Sequence, residues 1–174
     1  MRSDSPRFSH AGPARQQKRV PIIVLTNIQC YCIYYNNNST GDSAMPFVDF
    51  STISGSKVGR PFERELKIAL SPETHPDVSG FSLIVSTLAP DGGCTDTHTH
   101  AESGELMIFI SGRGKAWLAG EEYDLKPGAS LYAPPGILHK TLNTGTEPLM
   151  IACVFVPAVP DDYIKTSIEA AAAK

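Results

Sequence analysis

Three histidines and one glutamate occur at a spacing that could hold a metal ion. His98 and His100 are two residues apart, so both imidazoles would point to the same face of a strand. Glu105 begins the next apolar stretch, and His139 follows the PPG turn at residues 134–136, which fixes the backbone before it. Three imidazoles and one carboxylate suit iron, manganese, zinc, nickel, cobalt or copper. The pattern therefore predicts one divalent transition metal bound by these four side chains.

A metal held by four protein ligands would keep one or two coordination positions for a small molecule with oxygen atoms. As a Lewis acid, the ion would polarise a carbonyl group or stabilise an enolate, which is the chemistry of isomerases, decarboxylases, lyases and cyclases. No further histidine lies in the two ligand-bearing segments. A water or hydroxide bound to the metal is therefore the leading candidate for the catalytic base, and no catalytic side chain is assigned.

Four further side chains are candidates for a substrate pocket beside the metal. Met107 and Phe109 share the face of Glu105 by strand alternation, so we expect them to line the interior. Arg64 lies on an otherwise apolar strand face, where it either pairs with a nearby acid at the rim or binds a substrate carboxylate. Tyr132 lies on a predicted strand and either shapes the pocket or is an ordinary core aromatic residue.

The segment that begins at Glu105 is apolar on both faces. Its alternate residues, which would point away from the metal, are Leu106, Ile108 and Ile110. An antiparallel strand that is apolar on both faces is usually buried on both. A second copy of the chain is the simplest cover, so the sequence predicts a homodimer, and the alternative cover is the chain's own residues 1–44.

The rest of the sequence is typical of an all-β domain. Short apolar segments recur at regular spacing between Gly and Pro turns, which indicates a sandwich or closed barrel. The predicted strands are residues 62–70, 81–88, 105–110, 115–119, 122–125, 131–133, 140–142 and 149–156. Residues 161–174 predict a short C-terminal helix with an Ala-rich end.

The composition changes at Met45. Residues 1–44 hold five basic residues and two acids, although the whole chain of 174 residues has a net charge of −3. We therefore predict an N-terminal extension, residues 1–44, and a β domain, residues 45–174. The extension could be an edge strand, a targeting segment or sequence upstream of a start at Met45.

Overall composition limits the classes of partner and compartment. Charged residues make up 19% of the chain, and the balance is not basic, which argues against nucleic-acid binding. No run reaches the roughly 18 apolar residues of a membrane span. The four cysteines form no paired framework, so we expect free thiols and a cytoplasmic location, with a transit peptide or secretion left open.

The two ligand-bearing segments resemble the two signature motifs of the cupin superfamily. The first motif spans Gly92–Gly112 and the second spans Gly128–Asn143, and both match at every specified position, although Ala129 stands where many cupins have Asp. The resemblance implies a double-stranded β-helix, the jelly-roll barrel of RmlC-like proteins, built from two antiparallel sheets. It also implies that the four side chains described above are metal ligands.

Three functions are compatible with this resemblance. The leading expectation is a metal-dependent enzyme that uses a Lewis acid on a small oxygen-rich substrate. The second is a mononuclear iron dioxygenase, because the same ligand set can bind oxygen and an organic substrate together. The third is a non-catalytic domain that binds a small, sugar-like molecule.

Overall fold

The computed structural model describes residues 22–26, 29–33, 46–160 and 162–173. The chain divides into two compact units, residues 1–44 and 45–174, and each is described by itself. In the first unit, β1 (Ile22–Thr26) and β2 (Gln29–Ile33) form an antiparallel sheet of two strands. The predicted roles of residues 1–44 and of a start at Met45 lie largely outside the described residues and stay predictions.

The second unit consists of two antiparallel sheets and one helix. Its elements are β3 (Ser56–Val58), β4 (Arg64–Leu70), β5 (Ser82–Leu88), β6 (Gly104–Ser111), β7 (Gly114–Leu118), β8 (Glu121–Leu125), β9 (Ser130–Ala133), β10 (His139–Asn143), β11 (Leu149–Val156) and α1 (Tyr163–Ala172). The larger sheet has the order β3-β4-β5-β11-β6-β9, and the smaller sheet has the order β10-β7-β8. The predicted all-β barrel of two antiparallel sheets with a short C-terminal helix is confirmed.

Turn residues explain where several strands end. β7 and β8 are joined by Ala119 and Gly120, whose φ angles of 52° and 89° suit a tight hairpin turn. β6 ends before Gly112, which has a φ of 83°. A Cβ atom at Gly112 would lie 2.5 Å from the carbonyl oxygen of Pro148, so both its backbone angle and its surroundings require glycine.

Strand β6 has one buried face and one exposed face. Met107 and Phe109 are buried, as the alternation predicted. On the opposite face, Leu106, Ile108 and Ile110 are 37%, 41% and 42% exposed. The second unit therefore has an apolar patch on the outer face of its larger sheet.

Strand β4 departs from the predicted alternation. Strand alternation would place Leu66, Ile68 and Leu70 on the otherwise apolar face that was predicted for Arg64. A bulge between Ile68 and Leu70, opposite β5, adds one residue to this side of the pairing. As a result Ala69 is buried, with 1% exposure, and only the first half of the strand keeps the predicted face.

The helix and the smaller sheet complete the domain. The side chains of α1 that pack against the core are Tyr163, Ile164, Ile168 and Ala171. On the outer face of the smaller sheet, Lys140 pairs with Trp117, and its Nζ lies 4.4 Å from the centroid of the indole ring. Within the described part of the chain, no helix has the length and apolar character needed to cross a membrane.

Candidate metal centre

Backbone pairing joins the segments that carry the predicted ligands. The His98 N–H donates to the His139 carbonyl oxygen at 3.0 Å, and the His139 N–H donates to the His98 carbonyl oxygen at 2.9 Å. His98 and His100 were expected on a strand, but His98 lies in an extended segment that pairs with β10 through isolated bridges at Cys94–Leu142 and His98–His139. The bridge still brings the His98 and His139 rings to a centroid distance of 4.4 Å.

Two backbone carbonyls determine which ring nitrogen faces the centre. His98 Nδ1 lies 2.7 Å from the carbonyl oxygen of Asp96, and His139 Nδ1 lies 2.9 Å from that of Ile137. Because a carbonyl oxygen can only accept, each Nδ1 must carry a proton and donate it. The Nε2 atoms of both neutral rings are then left with lone pairs, as is usual for metal-binding histidines.

Glu105 lies between two of the rings. Its Oε2 is 2.9 Å from His139 Nε2 and 3.1 Å from His100 Nε2, and its side chain is buried. A neutral His139 whose proton is on Nδ1 would direct a lone pair at a carboxylate oxygen. Two acceptors at this distance need a cation or a proton between them, so the donor set fits a bound metal ion.

The spacing of the four side chains is also close to that of a metal site. The ligand atoms of His98, His100, Glu105 and His139 all lie within 4.8 Å of one another. Atoms bound at about 2.0–2.2 Å to one ion are roughly 3 to 4 Å apart. Small side-chain movements would therefore complete a coordination sphere.

Burial and neighbouring groups shift the pKa values of three of these residues, and the shifts of His98 and Glu105 favour the protonation states that metal binding requires. Burial lowers the pKa of His98 to about 3, and the neighbouring His139 acts in the same direction. Burial opposes ionisation of Glu105, but hydrogen bonds from His100 and His139 outweigh it, so its pKa lies below the ordinary value. Burial also opposes protonation of His139, yet its hydrogen bond to Glu105 prevails and raises its pKa.

An inner cavity of about 480 Å³, which includes space open to solvent, adjoins the cluster. Arg64 and Met107 line this cavity, and their part in a substrate pocket stays a prediction. Phe109 does not line it, because it lies two residues beyond Met107 along β6 and is enclosed in the core. Tyr132 is 53% exposed, since the alternation of β9 turns Ala133 inward instead. The structure thus corrects the predicted pocket at Phe109 and Tyr132.

Arg64 has no acidic partner among the described residues, contrary to one of its two predicted roles. Its Nη1 donates to the carbonyl oxygens of Phe62 at 3.0 Å and Cys94 at 3.3 Å. The ion pairs in the described part of the chain do not include it. Burial lowers its pKa, although an arginine stays charged at neutral pH.

Several cavity residues were not singled out from the sequence. Ser86 is buried in the cavity wall, and its hydroxyl has no hydrogen-bond partner among the described residues. Its place in the alternation of β5, between the buried Ile84 and Leu88, was the available signal. Tyr163 of α1 packs 5.7 Å from the His100 ring and borders the same cavity, and no sequence pattern placed the helix there.

An outer cavity of about 700 Å³, a volume that includes open solvent, shares part of its wall with the inner one. The residues that line both cavities are Arg64, His98, Tyr163 and Ser167. Thr166, Ala170 and Ala171 add further surface from α1 to the outer cavity. The helix therefore forms part of the entrance to the candidate metal centre.

The geometry of the sheets and of the four-residue cluster agrees with one family of known proteins. Residues 84–155 match the cupin domain family. This part of the chain is therefore a cupin domain. Its cupin domain is similar in structure to a predicted oxalate decarboxylase from Thermotoga maritima, with a TM-score of 0.58 and 23% identity, over 64% of this chain and 98% of that one.

Two curated relatives have similar sequences in the cupin domain. An uncharacterized protein from Methanocaldococcus jannaschii is 35% identical over 74 residues, which is 42% of this chain and 59% of that protein. Glucose-6-phosphate isomerase from Thermococcus onnurineus is 32% identical over 71 residues, which is 38% of each chain. The chain therefore spans less than two thirds of the length of these relatives.

Proposed function

We propose that this cupin is a metal-dependent enzyme that acts on a small oxygen-rich substrate. The observation that carries the proposal is the convergence of His98, His100, Glu105 and His139, with all ligand atoms within 4.8 Å of one another. These four side chains would hold one divalent transition metal. When bound, the ion supplies a Lewis acid that polarises a carbonyl group or stabilises an enolate.

The surrounding side chains support a site for a small molecule. The apolar residues of the inner cavity wall are Leu66, Ile84, Met107, Ile151 and Phe155. This wall excludes water from one side of the cluster, and electrostatic interactions are stronger where water is excluded. The Nδ1–H bonds of His98 and His139 to backbone carbonyls hold the rings in one orientation, so the chain itself orients the ligands.

The relative from Thermococcus onnurineus supports an isomerase within this class. Its name assigns it an activity on glucose 6-phosphate, and interconversion of an aldose and a ketose requires stabilised negative charge on carbonyl oxygen. The similarity covers 38% of that protein. We therefore extend to this chain the type of chemistry, which is proton movement next to a polarised carbonyl, and not the substrate.

Metal content is the direct test of the proposed site. We expect purified protein to bind one equivalent of zinc or manganese in equilibrium dialysis, measured by elemental analysis. Glu105→Gln and His100→Gln should each weaken binding about 10-fold or more, because each removes one ligand. His75→Gln is the matched control, since His75 contacts Thr74 and lies outside the cluster. Equal binding by all four proteins would contradict the site.

The type of reaction is tested by hydrogen exchange. Metal-loaded protein is incubated in deuterium oxide with hydroxy-ketones and keto acids, and NMR follows deuterium at carbon atoms next to the carbonyl. Enolate chemistry predicts exchange with zinc or manganese that Glu105→Gln abolishes. Oxygen uptake with iron and no exchange would replace this proposal by the dioxygenase, and ligand binding without either would favour a binding protein.

We further propose that a second copy of the chain covers the outer face of β6. Leu106, Ile108 and Ile110 form an apolar stripe there that is 37–42% exposed. β6 lies between β11 and β9, so its edges are already paired and a partner would pack against its face. An apolar face between paired strands suits face-to-face contact with an identical sheet better than strand addition.

A further inference from the structure

Arg64, a half-buried arginine beside the cluster, has more hydrogen-bonding capacity than the described residues use. Arg64 Nη1 donates to two backbone carbonyls, those of Phe62 and Cys94. No described residue accepts from its Nε or Nη2, and no described carboxylate pairs with it. A guanidinium carries five N–H donors, and a buried cation without an anionic partner is unfavourable. Within the described part of the chain, the edge formed by Nε and Nη2 therefore lacks an acceptor.

The position of Arg64 relates this edge to the candidate metal centre. Arg64 and His98 both line the inner and the outer cavity. The carbonyl that Arg64 holds at Cys94 belongs to the segment that leads directly to His98. A molecule that occupies the junction of the two cavities can therefore reach the arginine and the metal ligands together.

A second group in the same cavity also lacks a partner. Ser86 is 5% exposed, lines the inner cavity, and its Oγ makes no hydrogen bond within the described part of the protein. Leaving a buried hydroxyl unsatisfied costs free energy, which a bound acceptor would recover. Arg64 and Ser86 thus offer donors to the same space from neighbouring strands, β4 and β5.

We propose that the substrate carries a carboxylate, which Arg64 binds through its Nε and Nη2 edge with Ser86 as an additional donor. This inference rests on the proposed function and names the class of its substrate. A planar carboxylate matches the two parallel N–H groups of a guanidinium edge. The rest of the substrate would then extend from the arginine toward His98 and Glu105.

The charges around the cavity favour the same class. Arg64 and Glu105 are the residues of opposite formal charge among those that line the inner cavity. A divalent ion held by Glu105 and neutral histidines would leave this space with a net positive charge. A neutral substrate would leave the guanidinium unpaired, whereas an anionic one neutralises it.

The test measures binding of small probes to zinc-loaded protein by calorimetry. The probes are glycolate and oxalate, with ethylene glycol as the neutral counterpart of glycolate and inorganic phosphate as the other oxyanion. We expect glycolate and oxalate to bind, and Arg64→Gln to weaken both by about 10-fold or more, as for loss of a charged, two-point hydrogen bond. Arg64→Lys should bind them with intermediate affinity, and Ser86→Ala should lose about fivefold, as for one neutral hydrogen bond.

Matched controls separate this role from a structural one. Arg113→Gln removes the same charge from an exposed loop and should leave probe affinity unchanged. Zinc affinity and the melting temperature of Arg64→Lys should stay near those of the unaltered protein, since lysine can still donate to a carbonyl. Equal carboxylate affinity in Arg64→Gln, or binding of phosphate alone, would overturn the inference.

Failure of the proposed metal site is distinguishable from failure of this inference. If the unaltered protein binds no zinc, the proposed function is wrong, and the same probes are then titrated into zinc-free protein. Carboxylate binding that depends on Arg64 would still support the inference. Absence of such binding in both forms would reject it.

Discussion

His98 lies where a positive charge on its ring is strongly disfavoured. Burial lowers its pKa from 6.5 to about 3, whereas the unfolded chain binds a proton near 6.5. Between these values the unfolded state holds the extra proton, so acid stabilises the unfolded state. The raised pKa of His139 adds little slope well below pH 6.5, because that ring is then protonated in both states.

The first prediction concerns this acid sensitivity. The free energy of unfolding of zinc-free protein should fall by about 2 kcal/mol between pH 6.5 and pH 4.5 on account of His98. His98→Gln should remove that part of the slope, and urea denaturation at several pH values measures it. The range ends at 4.5 because below it the unfolded chain also binds a proton at Glu105, whose pKa in the folded protein is lowered.

His75→Gln provides the control for the same measurement. His75 lies outside the cluster and bonds to Thr74. We expect its slope to match that of the unaltered protein. Parallel curves for His98→Gln and the unaltered protein would mean that His98 accepts a proton in the folded state, contrary to its burial.

The sequence alone predicts the surroundings of some residues better than those of others. The four predicted ligands come together because their spacing, two imidazoles on one segment and a PPG turn before His139, is a local property. The surroundings of Arg64 and Ser86 depend on how β4 pairs with β5, which no local pattern specifies. For Arg64 the sequence therefore left two roles open, and Ser86 was missed.

At the scale of single elements, two turn glycines allow the effect of backbone strain to be distinguished from that of steric contact. Gly112 and Gly128 have φ angles of 83° and 85°. A Cβ at Gly112 would lie 2.5 Å from the Pro148 carbonyl oxygen and 2.7 Å from Leu149 Cα, whereas at Gly128 it would meet nothing within 4 Å. The two positions thus share a backbone conformation and differ in their neighbours.

The second prediction uses this pair. Gly128→Ala should lower the free energy of unfolding by about 1–2 kcal/mol, which is the cost of a left-handed alanine. Gly112→Ala should cost about 3 kcal/mol or more, because backbone atoms of β11 must also move. Chemical denaturation of both variants measures the difference. Equal losses of unfolding free energy would contradict the prediction, because the backbone around residues 148 and 149 would then make room for the methyl group at no energetic cost.

Strands were predicted more accurately than their internal irregularities. The strand 149–156 was predicted with the bounds that the structure has, because a continuous run of eight apolar residues and the turn residues before it mark it. The bulge in β4 was not predicted, since it arises from pairing with a distant segment. The position of α1 at the cavity entrance was equally unpredictable, because a short helix can pack on any apolar surface within its reach.

At the scale of the whole domain, the predicted ligands come from both sheets. Glu105 belongs to β6 of the larger sheet, and His139 belongs to β10 of the smaller one. An ion bound to both would connect the sheets at this end of the barrel. Because binding occurs in the folded state, it stabilises that state in proportion to the logarithm of metal concentration.

The third prediction follows from this connection. Zinc at about 100 times its dissociation constant should raise the free energy of unfolding by about 2.7 kcal/mol. A chelator should reverse the rise in melting temperature, and Glu105→Gln should show a much smaller one. Calorimetric melting curves with and without zinc measure both, and an equal rise in Glu105→Gln would place the bound zinc elsewhere.

The fourth prediction tests the proposed homodimer. Ile108→Lys places a charge in the apolar stripe of β6 and should convert a dimer into monomers, as measured by light scattering after size-exclusion chromatography. Tyr123→Lys is the matched control, because Tyr123 is 38% exposed on β8 of the other sheet. A monomer both for the full chain and for a form that starts at Met45 would contradict the proposal.

The stacked pair on the outer face of the smaller sheet has a practical consequence. Trp117 is the single tryptophan of the chain, and the ammonium group over its ring belongs to Lys140, the residue directly after His139. A small shift of β10 when the metal binds would change the distance between the Lys140 ammonium group and the indole ring of Trp117. The ultraviolet emission of the unlabelled protein would then report occupancy of the centre in real time, with the Lys140→Met variant as the silent reference.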